Sequence, residues 1–249
     1  MKTRTTLILV GLLSFVLFLL INFPASIAYQ FSKNSLKGVD MYDLQGTLWS
    51  GHAESMRINK QSFQDINWEL RPLSLLKAMV SLDIQVKDKQ YPLKGRLAMA
   101  VNGDIEAYEL KGTLPASMLQ QVPSLAFISL DGEVLIDMKT LVMNEKEIKS
   151  AEGEILLAQT SLKQPVKADI GNIRMNLSNE KDNVLIKIKD QEAPIGIDGT
   201  LLLKPENKFS FNAVFKPTVK ANNFLVGMLK NITRTQPDGS MISKYEGAY

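Results

Sequence analysis

Strict alternation of apolar and polar residues runs through much of the chain after residue 33, and it limits the folds that the chain can adopt. The clearest alternating runs are residues 82–87, 173–177, 184–188 and 209–215. Successive side chains of a β-strand point to opposite faces, so each run gives a strand one apolar and one polar face. This pattern is typical of antiparallel sheets that bury one face and expose the other. The sequence therefore predicts an all-β domain.

Glycine recurs in the middle of an apolar-x-Gly-x-apolar pattern. The six instances are centred on Gly46, Gly95, Gly112, Gly132, Gly153 and Gly199. In a strand each glycine lies on the same face as its two apolar neighbours. The missing side chain permits a bend, a bulge or the close approach of another element. One instance would be an ordinary strand glycine, but six indicate a curved antiparallel meander built from similar hairpins.

Three short segments have helical signals. Residues 72–79 and 115–122 begin with proline, and residues 219–232 are amphipathic. Residues 241–249 follow a turn and are expected to form a last strand. Three short helices are too few to cover the apolar face of about nine amphipathic strands. We therefore expect the sheet to close as a sandwich or barrel, or to form a trough around something hydrophobic.

The N-terminal segment Leu7–Phe23 is an apolar run of 17 residues. A helix needs roughly 20 apolar residues to cross the hydrocarbon core, and the flanking residues supply the difference. Lys2 and Arg4 precede the run, so the positive-inside rule places the N-terminus in the cytoplasm. The predicted organisation is a cytoplasmic N-terminus at residues 1–6, a transmembrane signal anchor at 7–27 and a periplasmic β-rich domain at 28–249.

A cleaved signal peptide is the alternative explanation of the same segment. Ser26-Ile27-Ala28 has the small-x-small pattern of a cleavage site, and Pro24 shortly before it fits as well. The apolar run is longer than the usual signal-peptide core of roughly 7–15 residues, which favours an uncleaved anchor. Both alternatives export the domain that follows.

Composition excludes several functional classes. The formal net charge is +3, and without Lys2 and Arg4 the chain has 27 basic and 26 acidic residues. A nearly neutral domain of mixed charge lacks the basic surface that nucleic acid binding requires. The chain has no cysteine, so disulfides, thiolate metal sites and cysteine nucleophiles are excluded.

The sequence has no pattern of catalytic, cofactor-binding or metal-binding residues. His52 is the only histidine, and it lacks the neighbouring ligands that a metal site needs. The G-x-S-x-G nucleophile elbow and the glycine-rich phosphate-binding motifs are also absent. His52 is most simply an ordinary strand or surface histidine. The sequence therefore predicts a protein that is not an enzyme and has no cofactor.

The two tryptophans each lie in a dense local motif. Trp49 lies in Gly46-Thr-Leu-Trp-Ser-Gly51, and Trp68 begins the motif Trp68-Glu-Leu-Arg-Pro72-Leu-Ser-Leu-Leu. Large aromatic side chains are most simply core residues, and a binding surface is the alternative. The candidate structural or interaction residues are Gly46, Leu48, Trp49, Gly51, Trp68, Pro72, Gly112 and Gly132.

These motifs, in this order, resemble protein N of the type II (general) secretion pathway. The resemblance runs from Gly38 to the C-terminus. Besides the two tryptophan motifs, the matching stretches are residues 112–114, the proline-bounded segment that ends at Pro123, and residues 130–134, 225–229, 238–239 and 245–247. Each stretch is short, and their order along the chain makes the resemblance specific.

The resemblance implies an accessory, non-catalytic component of the machinery that exports folded proteins across the outer membrane. It implies a single-pass protein of the bacterial inner membrane whose periplasmic domain contacts other secretion components. The uncovered apolar face of the sheet favours a second hypothesis, a membrane-anchored module that binds and transfers lipid or another hydrophobe as bridge-like proteins do. Retained phospholipid would favour the second hypothesis, and co-purification with inner-membrane secretion components would favour the first.

Overall fold

The structure, a computed structural model, describes residues 2–34, 36, 38–121, 129–144, 146–164 and 167–248. It divides into two compact units, Met1–Lys89 and Gln90–Tyr249. Over the described residues, the sheet of each unit consists of antiparallel strands, and each unit has buried apolar side chains of its own.

The first unit begins with two helices and continues as four antiparallel strands over its described residues. Its elements are α1 (Lys2–Ile21), α2 (Ala25–Ser32), β1 (Val39–Gly46), β2 (Ser50–Ile58), β3 (Gln61–Leu70), a 3-10 helix (Pro72–Lys77) and β4 (Met79–Val86). The strands pair in chain order, β1 with β2, β2 with β3 and β3 with β4. Ala53, Phe63 and Ile66 are among the buried residues of this unit.

The second unit is a meander of ten strands over its described residues. Its elements are β5 (Leu93–Ala100), β6 (Ile105–Pro115), a 3-10 helix (Ala116–Gln121), β7 (Ser129–Met143), β8 (Ile148–Gln164), β9 (Ala168–Glu180), β10 (Asn183–Gln191), β11 (Ile195–Lys204), β12 (Lys208–Pro217), α3 (Asn223–Ile232), β13 (Arg234–Thr235) and β14 (Met241–Ala248). Strands β5 to β12 are neighbours in chain order, β14 pairs with β12, and β13 pairs with β14. Its core cluster consists of Met138, Ala151, Leu177, Val184 and Leu203.

The predicted all-β fold with antiparallel pairing is confirmed, because the alternating runs lie in strands. Residues 82–86 lie in β4, 173–177 in β9, 184–188 in β10 and 209–215 in β12. Few helices accompany the strands, as the sequence predicts. The curvature of the sheet and its closure as a trough or sandwich stay predictions.

Two of the predicted short helices are 3-10 helices. The segment that begins at Pro72 is helical as far as Lys77, and the chain then enters β4. The segment after Pro115 is helical over Ala116–Gln121. The expected end of that segment, with Pro123, lies outside the described residues, as does the last residue of the expected C-terminal strand.

The predicted helix at residues 219–232 begins only at Asn223. The side-chain oxygen of Asn222 accepts hydrogen bonds from Phe224 N (2.9 Å) and Leu225 N (3.4 Å). Asn222 is therefore the N-cap, which has non-helical backbone geometry, and the residues before it lie outside the helix. The predicted end of the helix at Ile232 is confirmed.

The repeated glycines occupy positions where the backbone needs space. At each of the six glycines, a Cβ would come within 3.0 Å of another heavy atom. Gly132 is the clearest case, because its φ is +114° and it lies between Asp131 and Glu133, where the register of β7 against β8 shifts. A register shift of this kind marks a β-bulge. A bulge, which is one of the three features that the glycine repeat permits, is therefore present at Gly132.

The segment predicted to be a transmembrane anchor, residues 7–27, is not one continuous helix. α1 ends at Ile21, Pro24 makes an isolated antiparallel bridge with Thr47, and α2 begins at Ala25. Among the residues that the structure describes, no helix has both the length and the apolar character of a membrane span. The anchor and the three predicted boundaries stay predictions.

An ion pair near the β5–β6 turn makes the stability of the second unit depend on pH. Lys149 Nζ donates to both carboxylate oxygens of Asp104 (2.7 and 2.9 Å), and Asn102 donates to one of them (2.9 Å). The hydrogen bond from Lys149 is the largest cause that lowers the pKa of Asp104 below its ordinary value. Such a carboxyl stabilises the fold above its unfolded-state pKa of about 3.9 and loses this contribution as pH falls through the lower, folded-state pKa.

We expect Asp104→Asn to lower the thermal midpoint of the full chain at pH 7, and to lower it progressively less as the pH falls below about 4. Asp131→Asn is the matched control, because Asp131 also pairs with a lysine, Lys163. The Asp131 side chain is 61% exposed and that of Asp104 is 12% exposed, so solvent screens the control pair more strongly. A midpoint difference for Asp104→Asn that does not change with pH would contradict this account.

Candidate functional site

The first part of the candidate site is the corner where β1 turns into β2. Gly46 ends β1 with φ +84°, and Gly51 lies opposite it in β2. Oγ1 of Thr47 holds the turn between them by accepting hydrogen bonds from Trp49 N (3.3 Å) and Ser50 N (3.2 Å). The first tryptophan motif is therefore a tight turn that needs a left-handed backbone at Gly46, which glycine adopts without steric cost.

This turn also holds the end of α1. Trp49 Nε1 donates to Leu20 O (2.7 Å), and Leu48 N donates to Phe23 O (2.8 Å). The last carbonyl groups of a helix have no partner within the helix, so they need partners from elsewhere. Trp49 supplies such a partner and thereby links the N-terminal helix to the strands.

Gly51 and Trp68 lie opposite each other in β2 and β3. A Cβ at Gly51 would lie 2.8 Å from Cε2 of the Trp68 ring and 2.7 Å from Gln45 O. The absence of a side chain at Gly51 therefore makes room for the indole ring. Trp49 and Trp68 are each half-buried.

A cavity of about 310 Å³ lies between α2 and the strands of the first unit. Leu48 and Trp68 of the two motifs line it, together with Ile66 of β3 and Ala28 of α2. Aliphatic and aromatic side chains form most of the remaining lining. Pockets for small ligands are mostly apolar and start at roughly 300 Å³. The arrangement suits a narrow hydrophobic ligand.

Pro72 begins the 3-10 helix between β3 and β4, and this helix exposes apolar residues. Leu73 and Leu76 are 77% and 85% exposed. The helix starts beside Arg71, whose side chain forms an ion pair with Asp83 of β4. The second tryptophan motif therefore has a half-buried beginning and an exposed apolar end.

The structure brings together the candidate residues from Gly46 to Pro72, because all of them lie in the first unit. Gly112 and Gly132 lie in the second unit, in β6 and β7. Gly112 pairs with Leu93, and a Cβ at Gly112 would lie 2.7 Å from the Cα atom of that residue. Close packing of neighbouring strands explains the absence of a side chain at Gly112.

The sequence does not predict the contacts of two residues in the first unit, Tyr29 and Asn22. The Tyr29 hydroxyl donates to Val39 O (3.2 Å) and accepts from Met41 N (3.2 Å), so α2 binds the backbone of β1. Asn22 Nδ2 donates to the Phe18 carbonyl of α1 (2.9 Å). An isolated tyrosine or asparagine belongs to no sequence pattern that indicates its hydrogen-bond partner. The motifs therefore predict neither contact.

Polar side chains near this site form cross-strand contacts. His52 Nδ1 of β2 lies 3.2 Å from Asn67 Oδ1 and 3.6 Å from Asp65 Oδ1, both of β3. Arg57 donates to Asp40 across the β1–β2 pair (3.0 Å), and this hydrogen bond raises the pKa of Arg57 above its ordinary value. Within the described residues, no group of three or more histidine, aspartate or glutamate side chains is placed to hold a metal ion. The site therefore consists of an apolar cavity and a hydrogen-bonded contact between the end of α1 and the β1–β2 turn.

Comparison with known proteins identifies the family. Residues 37–242 match the profile of the family described as Type II secretion system (T2SS), protein N. The chain is 26% identical over 207 residues to the type II secretion system protein N of Vibrio cholerae serotype O1 (strain ATCC 39315 / El Tor Inaba N16961), which covers 82% of this chain and 81% of that protein. It is 21% identical over 251 residues to the type II secretion system protein N of Aeromonas hydrophila, which covers 99% of each chain. No solved structure gives a significant match. The resemblance that the motifs indicate is confirmed, and the chain belongs to the type II secretion system protein N family.

Proposed function

We propose that the protein is an accessory inner-membrane component of the type II secretion system. In this role it supports the export of folded proteins across the outer membrane through contacts with other proteins. Membership of the protein N family supports the assignment to the secretion system. The observation that carries the protein-contact role is the exposed apolar surface of the 3-10 helix in the first unit.

This surface, which we call the leucine patch, is fixed before any partner binds. Its exposed apolar residues are Leu73, Leu75, Leu76 and Val80. Arg71 N donates to Ser81 O (2.8 Å), and Ser81 N donates to Ser74 Oγ (3.1 Å), so hydrogen bonds join the helix to β4. Several exposed large apolar side chains within one short stretch of a folded surface are typical of an interaction site. A preformed patch also loses little conformational freedom on binding, which favours affinity.

We place the N-terminal helix in the inner membrane, with residues 1–6 in the cytoplasm and the domain from residue 28 in the periplasm. The apolar run Leu7–Phe23 has 17 residues, and the residues that flank it bring the segment to the roughly 20 that a membrane span needs. The large side chains of α1 from Leu7 to Ile21 are apolar and exposed. Trp49, at the end of this helix, suits the membrane–water interface, where tryptophan is enriched.

Crosslinking and affinity purification of the full chain from its native membranes test the proposal. We expect the wild type to capture inner-membrane components of the secretion system. Leu73→Ser/Leu76→Ser should reduce this capture about tenfold or more, because truncation of central interface residues typically costs about 2 kcal/mol or more.

The matched control is Met99→Ser/Val101→Ser, which removes two exposed apolar side chains near the β5–β6 turn, and it should leave capture unchanged. The intrinsic tryptophan fluorescence of each variant checks that the first unit is folded. Equal capture by the two double variants would overturn the role of the leucine patch. A wild type that captures no secretion component would overturn the proposed function itself.

A second candidate function is the binding of a lipid or another hydrophobe, and the cavity beside α2 favours it. The cavity has an apolar lining, and α2, which forms one wall, begins four residues after the end of α1. If α1 lies in the membrane, this order places the cavity near the bilayer surface. Native mass spectrometry of the purified full chain decides the matter, since retained phospholipid would support this function and a lipid-free chain would exclude it.

A further inference from the structure

α3 of the second unit exposes a stripe of large apolar side chains. Phe224, Met228 and Ile232 are 50%, 46% and 73% exposed. They are spaced four residues apart, so they follow one another along one side of the helix. Leu225 and Leu229 on the neighbouring side are half-buried. The helix therefore has one apolar side that packs on its own unit and an adjacent apolar side that faces solvent.

The segment that contains this stripe is strongly basic. Residues 216–234 include Lys216, Lys220, Lys230 and Arg234 and no acidic residue. This local charge of +4 exceeds the net charge of +3 of the whole chain, so the rest of the chain carries a net charge of −1. All four cationic residues are exposed. The segment is therefore a local positive region on a nearly neutral protein.

The stripe belongs to a helix whose two ends are fixed. The Asn222 side chain caps the N-terminus, and its amide group also donates to Lys167 O (3.3 Å). At the other end, Thr233 Oγ1 donates to Leu229 O (2.6 Å). A helix that is already formed presents its apolar stripe without a cost for folding on binding.

We propose that α3 and its flanking cations bind the surface of an anionic lipid bilayer. Phe224, Met228 and Ile232 enter the boundary between headgroups and acyl chains, and the lysine and arginine side chains pair with lipid phosphates. Amphipathic helices with exposed aromatic and aliphatic residues beside lysine and arginine bind membranes in this way, and anionic lipid adds to the affinity for each cation. This proposal does not depend on the position of α1 or on the proposed function.

The charge distribution favours a lipid surface over a protein groove. Lysine is depleted at protein–protein interfaces, whereas residues 216–234 carry four exposed cations and no acidic residue of their own. Asp238 is the first acidic residue after the segment, and its carboxylate accepts hydrogen bonds from Ser240 N (3.0 Å) and Ser240 Oγ (2.6 Å). Lipid phosphates supply the anions that the segment itself lacks.

The test uses the full chain with α1 inserted in phosphatidylcholine nanodiscs. Because α1 is then already in a bilayer, it does not contribute to the binding of added vesicles. Binding is measured by co-sedimentation with vesicles of phosphatidylcholine alone or of phosphatidylcholine with phosphatidylglycerol. We expect the wild type to sediment with the phosphatidylglycerol vesicles only, and to be released in about 1 M salt, where the Debye length falls to about 3 Å.

Two variants separate the contributions of charge and apolar contact. Lys220→Gln/Lys230→Gln/Arg234→Gln should weaken binding about tenfold or more, and Phe224→Ser/Met228→Ser/Ile232→Ser should abolish it. The matched control is Lys181→Gln/Lys187→Gln/Lys189→Gln, which removes three exposed cations of the second unit outside this segment and should leave binding unchanged. Circular dichroism checks that all variants are folded.

Three outcomes would overturn the proposal. One is a control variant that loses as much binding as the α3 charge variant, since the attraction would then not be specific to this segment. Another is an apolar variant that binds as the wild type does. The third is a wild type that does not sediment with phosphatidylglycerol vesicles. This result would favour a protein partner for the stripe.

Discussion

Replacement of Gly51 by valine should destabilise the first unit by about 2 kcal/mol and lower its thermal midpoint by roughly 10 °C. A Cβ at this position would meet the Trp68 ring and the backbone oxygen of Gln45, each within 3.0 Å. Because Gln45 O belongs to the backbone of β1, a change of side-chain rotamer cannot relieve this contact. Both tryptophans of the chain, Trp49 and Trp68, lie in the first unit, so tryptophan fluorescence of the full chain follows this unit.

Ser50→Val is the matched control for the Gly51 variant. Ser50 is exposed in the same strand, and surface substitutions usually change stability by no more than about 0.5 kcal/mol. A double-mutant cycle identifies the cause, because Gly51→Ala should cost less in a Trp68→Leu background if the indole ring is the obstacle. Equal midpoints for Gly51→Val and Ser50→Val would show that Gly51 does not make room for Trp68.

The strands could be predicted from the sequence because their signal is local. A strand with one buried face needs apolar residues at every second position, and Phe209, Phe211 and Phe215 of β12 meet this requirement. The register between strands is not local, since it depends on the turn that joins them and on the whole buried face. The sequence therefore predicts that Gly51 and Trp68 matter, but it does not predict that they lie opposite each other.

The hydrogen-bonded contact between α1 and the β1–β2 turn could not be predicted, because it connects residues that are far apart in the sequence. Trp49 Nε1 and its acceptor, Leu20 O, are 29 residues apart in the chain. The break after α1 has a local signal, since Pro24 disfavours a helical conformation of the residue before it. The exposure of Leu73 and Leu76 had no such signal, because apolar residues next to a strand ordinarily indicate a core.

Replacement of Gly132 by valine should destabilise the second unit by about 3 kcal/mol or more, because two costs combine there. The φ of +114° at Gly132 is a conformation that other residues rarely adopt, and such strain costs about 1–3 kcal/mol. A Cβ would also lie 2.8 Å from both Ala158 O and Gln159 O, which are backbone atoms of β8. Overpacking of this kind costs about 1–3 kcal/mol in addition.

Three further variants separate these two costs. Gly112→Val meets only the crowding, because Gly112 has no positive φ and its Cβ would lie 2.7 Å from Leu93 Cα. It should therefore cost less than Gly132→Val. Thr113→Val and Glu133→Val are matched controls in the same strands that already carry a Cβ, and we expect each to cost about 0.5 kcal/mol or less. Thermal unfolding of the full chain gives the four midpoints, with hydrogen exchange in β6 to β8 as the probe of unfolding. If all four variants unfold at the same temperature, these glycines are incidental strand residues and the repeat has no architectural role.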